Sequence, residues 1–317
     1  MTTSELIHAY LAARRAHGVK LGSGERALCQ FARQTGDRPL AEVTRKDVAQ
    51  FLHGRGLSAT WKTKYGLLAG LYRFAMARGH VAASVLPEQR PRLPPPLTPY
   101  IYSSDELQRL LNASVALESP RNPLQALTYR TLLLLLYGAG LRVSEAIGLT
   151  LGDVDLRERV LTIRETKFYK SRLVPIGRRL AAALSMYIEQ RDSLPRPQGD
   201  RSAFLSARGG QGLTYKRAYE HFQRVRSSAG IVCPPGGRRP PRLHDIRHTA
   251  ATHRVLAWYR EGKDVQQLLP RLATYLGHVS IASTQQYVQL TPELLHEASL
   301  RFAAYAQVDA EEEINHA

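Results

Sequence analysis

Trp61, Tyr65, Leu68, Leu71, Tyr72 and Met76 recur at three- and four-residue steps, the spacing of one buried helical face. The opposite face of that segment offers Lys62, Lys64 and Arg73. Shorter runs upstream carry the same period. They predict a helix capped by Ser4 and running to about Arg15, a second from Gly24 to Gln34, and a third from Thr44 onward, where Asp47 answers Thr44 in the manner of a capping box. A fourth helix starts at Ser58. Residues 1–86 therefore read as an all-helical module. Prolines at 87, 91, 94, 95, 96 and 99 then exclude a continuous helix and predict an extended spacer over 87–100.

The pattern resumes at Ser103-Ser104-Asp105-Glu106, a helix start, and becomes strongly apolar over 124–137. Gly138-Ala139-Gly140 ends that helix and Ser144 to Leu149 opens another. Val154-Asp155-Leu156 leads into Val160-Leu161-Thr162-Ile163, and Leu173-Val174-Pro175-Ile176 reads as the answering strand of a small hairpin. Helical periods return at about 178–192, 214–229, 244–260, 264–276, 280–287 and 292–306. The resulting expectation is a 101–308 domain and an acidic tail over 309–317.

Composition changes the picture in one respect. The 317 residues hold 44 Lys/Arg against 27 Asp/Glu, a net charge of +17. Such an excess predicts a polyanionic partner, nucleic acid or an anionic membrane surface. The first 100 residues carry 15 basic and 6 acidic side chains, so charge density is about twice as high in the small module. Cys29 and Cys233 fit no metal or redox spacing. No N-terminal stretch has the form of a signal peptide, and the apolar run Thr131–Leu141 is about half a membrane span. A cytoplasmic nucleic-acid binder without a membrane partner is expected.

Three motifs carry candidate chemistry. Gly138-Ala139-Gly140-Leu141-Arg142-Val143-Ser144-Glu145 puts an arginine at the joint of two helices. Leu243-His244-Asp245-Ile246-Arg247-His248 puts His244 and Arg247 on one helical face. Leu276-Gly277-His278 precedes Tyr287 by nine residues. Alone, Arg142 and Glu145 read as an ordinary helix ion pair. His244, His248 and His253 have zinc-like spacing, but Arg247 among them opposes a metal and Asp245 stands where a general-base Glu is needed. Asp153 reads as a cap or turn residue. Gly262-Lys263-Asp264 is not a nucleotide-binding loop, and no carboxylate cluster suggests a two-metal site. No cofactor and no metal are expected.

In this order, over nearly the whole chain, the motifs resemble the tyrosine recombinase, or phage integrase, family. The run Leu-Pro-Arg-Leu-Ala-Thr-Tyr-Leu-Gly-His at 269–278 is similar to members encoded by transposons and mobile elements, alongside Xer-like recombinases. The implied fold is mostly α: a two-domain DNA clamp, with a helical SAM-like core-binding domain and a mixed, mainly helical catalytic domain holding a small antiparallel β-sheet. The implied catalytic set is Arg142, Lys167, His244, Arg247, His278 and Tyr287, with Tyr287 as nucleophile. Lys170 competes with Lys167, because Phe168-Tyr169 departs from the tighter, Gly-richer family turn.

The chemistry implied is cleavage and rejoining of DNA strands through a 3′-phosphotyrosine, without ATP, in integration, excision or resolution. Two guanidiniums suit the anionic oxygens of a phosphodiester, whose charge grows in the transition state. Lys167 would protonate the departing 5′-oxygen. His244 would act on the Tyr287 proton or hydrogen-bond the phosphate, and His278 would be a further phosphate donor. Implied partners are double-stranded DNA, a homotetramer on DNA from a protein monomeric in solution, and accessory recombination proteins. Arg45, Lys46, Lys62, Lys64, Arg73, Lys170 and Arg172 are the expected DNA contacts. The helix at 292–306 either caps its own domain or docks on a neighbouring protomer. Two rivals stand beside this reading: a catalytically idle DNA-binding regulator on the same fold, and a type IB-like topoisomerase.

Overall fold

The computed structural model describes residues 1–19, 22–53, 59–92, 98–164, 171–206, 208–233, 235, 239–278, 282–285 and 297. The chain divides into two compact units at Leu97/Thr98, inside the proline-rich stretch.

The first unit is built from α1 (Thr3–Ala16), α2 (Gly22–Gln34), α3 (Arg45–His53) and α4 (Ala59–Ala77). Its core gathers Leu6, Leu11, Phe31, Val48, Phe51, Trp61 and Leu68. Phe31 and Phe51 meet edge to face at 5.1 Å. The first helix is capped by Thr2 rather than Ser4. Thr2 Oγ1 accepts from the Glu5 amide at 3.2 Å while Glu5 accepts from the Thr2 amide at 2.8 Å. Ser4 has no glutamate in the reciprocal place, which decides between them. Thr44 and Asp47 make the expected reciprocal pair at the start of α3.

The second unit opens with α5 (Ser104–Ala113), which is capped by Ser103 and Glu106 in the same way. Next come α6 (Gln125–Gly138), the short α7 (Val143–Ile147) and three strands, β1 (Val154–Asp155), β2 (Val160–Ile163) and β3 (Arg172–Pro175). The chain continues through α8 (Arg178–Arg191), α9 (Tyr215–Ser228), α10 (Asp245–Arg260), α11 (Val265–Leu276) and α12 (Ala282–Gln285). The expected hairpin is extended to three strands, antiparallel in the order β1-β2-β3, because Val154-Asp155 also pairs with β2. Register sets Val160 opposite Pro175 and Ile163 opposite Arg172. Leu161, Ile163 and Val174 face the core.

Helix α6 packs against α7, α8 and α10. Its residues are apolar nearly all round, the composition of a helix buried on several sides, with Leu132, Leu135 and Leu136 fully buried. This fixes its C-terminal end, where the Arg142 motif begins. A smaller cluster of Ala251, Val255, Leu269, Leu272 and Leu276 joins α10 to α11. Apart from Glu297, the expected helix at 292–306 and the acidic tail lie outside the described residues. Among the described residues no helix is long and apolar enough to cross a membrane.

Leu135→Ala should destabilise the second unit by roughly 2–5 kcal/mol, the usual cost of a buried leucine truncation. Urea denaturation checks this, and a loss below about 1 kcal/mol would place α6 outside the core.

Candidate active site

Helix α6 must stop before Arg142 can be placed, and Gly140 stops it with φ +59°. A Cβ at Gly140 would lie 2.8 Å from a Leu276 methyl, so the glycine also lets the end of α6 approach the end of α11. Arg142 then precedes α7 as its N-cap residue, with Glu145 at the third helical position. Glu145 accepts from the Arg142 amide at 2.9 Å and from the Arg142 Nη1 at 2.6 Å.

The end of α11 supplies the other half of the site. A helix leaves its last carbonyls without intrahelical donors and carries partial negative charge there. Three consecutive carbonyls at this end each take a different arginine. Arg172 Nε donates to Tyr275 O at 3.1 Å, Arg247 Nη2 to Leu276 O at 2.6 Å, and Arg142 Nη2 to Gly277 O at 2.8 Å. Arg247 Nη1 donates to Gly140 O, tying α10 to the end of α6. Gly277 sits in the left-handed region at φ +68°, closing the helix.

Glu145 is the acidic centre of the group. Arg172 grips it with a two-pronged pair, Nη1 to Oε1 at 3.0 Å and Nη2 to Oε2 at 2.8 Å, and Arg247 Nη1 stands 3.7 Å from Oε2. Burial pushes the Glu145 carboxyl up, but the hydrogen bonds from Arg172 and Arg142 outweigh it and hold the pKa at about 2. Three guanidiniums face this one carboxylate among the described residues. Arg247 is 2% exposed, while the Arg142 side chain keeps 35%.

His244, His248 and His278 are all pushed below the ordinary histidine range. Burial and the Arg247 and Arg142 charges push His278 down to about 4. Its Nε2 lies 3.2 Å from Arg247 Nη2, and its Nδ1 lies 2.8 Å from Thr284 Oγ1. A guanidinium only donates, so Nε2 accepts and the proton sits on Nδ1, pointing at Thr284. In this arrangement His278 braces Arg247 rather than presenting Nε2 as a donor. His244 is exposed as a residue, yet desolvation by its surroundings and the Arg247 charge lower its pKa. It meets His248 edge to face at 5.0 Å, and burial together with His244 pushes His248 down to about 4. His253 turns away to the Tyr137 hydroxyl, 3.0 Å off.

Four of the six expected catalytic residues thus fall in this region: Arg142 and Arg247 through Glu145 and the α11 carbonyls, His278 on Arg247, and His244 one turn before Arg247. Lys167 and Tyr287 lie outside the described residues, as does Lys170. Two expected DNA contacts are turned inward. Lys64 donates to Phe51 O at 2.7 Å at the end of α3 and lies over the Phe51 ring, which uses its charge to cap a helix. Arg172 is spent on Glu145 and Tyr275. Arg45, Lys46, Lys62 and Arg73 are exposed. Sequence reasoning gave no role to Thr284 and placed Arg172 on DNA, because neither has a partner nearby in the chain.

Residues 101–293 match the Phage integrase family. The chain is 36% identical to a protein of Sinorhizobium fredii named as an integrase/recombinase, y4rB, over 95% of this chain and 96% of that one. It is 34% identical to the tyrosine recombinase XerD of Mycobacterium tuberculosis, over 87% and 89% of the two chains. Among solved structures it resembles the Tn1549 transposon integrase in complex with transposon right end DNA, at 19% identity and a TM-score of 0.65, covering 96% of this chain and 100% of that one. The chain belongs to the phage integrase family. Its activity is that of a tyrosine-type site-specific recombinase.

Two outcomes follow from this geometry. A Cβ at Gly277 would meet Arg172 Nη1 at 2.7 Å and would occupy a left-handed backbone that costs an L-residue about 1–2 kcal/mol. Gly277→Ala should therefore slow strand cleavage about tenfold or more by displacing the arginines, with binding little changed in a gel-shift titration. Unfolded chains take up protons at histidine from about pH 6.5 downward, whereas folded His248 and His278 do so only near about 4. Stability present above about pH 6.5 is lost as the pH falls toward 4. Thermal melts of His248→Asn should fall less than wild type across that window, and parallel curves would contradict the assignment.

Proposed function

We propose that this recombinase cuts and rejoins DNA through Tyr287. The observation that supports it most is the convergence of the Arg142, Arg172 and Arg247 guanidiniums, each bonded to one of three consecutive carbonyls at the end of α11. Such a site presents preorganised donors to a phosphodiester without reorganising during the reaction. The Tyr287 hydroxyl attacks phosphorus, the bond to the 5′-oxygen breaks, and a 3′-phosphotyrosyl bond forms. Neutral His244 takes the tyrosine proton, and Lys167 gives a proton to the 5′-oxygen. The ester energy is kept in the tyrosyl bond, so the reverse attack by a 5′-hydroxyl reseals a strand with no nucleotide cofactor.

The partner on this reading is double-stranded DNA, bound with residues 1–86 as the core-binding domain and 101–308 as the catalytic domain. Exposed Arg45, Lys46, Lys62 and Arg73 give the first unit phosphate contacts. A related fold is seen as a lambda integrase tetramer bound to a Holliday junction, 18% identical with a TM-score of 0.64. A tetramer assembled on DNA by monomers is the working assembly here, in the cytoplasm, serving a mobile element.

Trapping on denaturing gels, with nicked duplexes tiled from the flanks of the gene, tests the proposal. Wild type should give a shifted covalent band, and Tyr287→Phe should bind with unchanged affinity and give none. Equal loss of binding would refute the nucleophile assignment. Arg142→Ala and Arg247→Ala should each cut cleavage about a hundredfold or more. Near-normal cleavage in either would sink the phosphate-clamp assignment.

A further inference from the structure

Arg172 stands at the first residue of β3, opposite Ile163. It also follows Lys167 by five residues in the chain. Basic side chains at such an edge usually face solvent or a polyanion. This one does not. Its side chain is 13% exposed, and all three guanidinium nitrogens donate to protein: Nε to Tyr275 O, Nη1 and Nη2 to the two oxygens of Glu145. The protein keeps space for it, because Gly277 has no Cβ where one would lie 2.7 Å from Nη1 and 2.9 Å from Cζ.

We propose that Arg172 is a positioning residue of the recombination site, which neutralises Glu145 so that Arg142 and Arg247 remain available to the DNA phosphate. Glu145 has two oxygens, and Arg142 occupies only part of their capacity. Arg247 is 3.7 Å away. Without the fork of Arg172, the buried carboxylate has those two guanidiniums as its remaining cationic partners among the described residues. It then competes with the substrate for both. The same side chain, through Nε to Tyr275 O, ties the start of β3 to the end of α11, so the strand that follows Lys167 is set by the group that orients the arginines. Lysine keeps the charge but cannot make the planar two-pronged pair.

The inference rests on the phosphate-clamp reading and can fail separately from it. Four variants, Arg172→Lys, Arg172→Ala, Glu145→Gln and the Arg172→Ala/Glu145→Gln double, are compared by single-turnover cleavage of a nicked duplex and by affinity as a function of salt. Arg172→Lys, which retains charge, should cleave about ten- to a hundredfold more slowly than wild type, as expected when reacting groups are misplaced. Arg172→Ala should leave the slope of log affinity against log salt unchanged, whereas loss of a phosphate contact would reduce it by about one. Adding Glu145→Gln to Arg172→Ala should cost no more than the worse single substitution, because both act through one pair. Wild-type cleavage by Arg172→Lys, a reduced salt slope, or additive losses would each overturn the inference. If Arg142→Ala and Arg247→Ala are inactive while Arg172→Lys is active, the clamp stands and only this inference falls.

Discussion

The second unit is organised around a charge that has nowhere else to go. Glu145 is nearly buried, and an isolated buried carboxylate is too costly to keep ionised. It stays ionised because Arg172 and Arg142 bond it directly and Arg247 stands close behind. Those guanidiniums are themselves poorly solvated, and the exposed carbonyls at the end of α11 take up their remaining donors. Each element of the site therefore depends on the others. α7 supplies the acid, β3 and α10 supply two of the bases, and α11 supplies the acceptors.

Such a network carries little net stability, since desolvation offsets most of the Coulombic gain. Removing one member is another matter. It leaves a charge or a carbonyl without its partner, at a cost of about 3–5 kcal/mol for a buried pair. Substituting Arg247 would accordingly mix two effects, loss of the phosphate donor proposed above and a loosened joint between Gly140 and Leu276. Folding measurements beside rate measurements separate them. Carbonyl dipoles at the end of α11 orient the guanidiniums without cancelling their charge.

The histidines fit the same logic. A protonated His278 would set a further positive charge beside Arg247, and burial already disfavours it. Neutral, it accepts from Arg247 and donates a hydrogen bond to Thr284, which extends the network into α12. Phosphate-binding sites gain from such bracing, since donors that do not move pay no reorganisation when charge develops.

Helix periods, capping pairs and the ends of α6 were legible from side-chain identity, because those interactions close within a turn of their own residues. Thr44 with Asp47 and Ser103 with Glu106 are of this kind. The motif order was legible too, and with it the family to which the chain belongs. The pairing of Arg172, expected on DNA, with Glu145 was not, and Thr2 replaced Ser4 as the first cap. The partners of the arginines are 27 residues away for Arg172 and Glu145, 107 for Arg247 and Gly140, and 135 for Arg142 and Gly277. Most of those acceptors are backbone carbonyls, which every residue carries and no residue type announces. The sequence by itself determined the family and the order of its motifs. Only the folded backbone, by bringing one helix end against two others, decided which carbonyls and which carboxylate would aim the arginines.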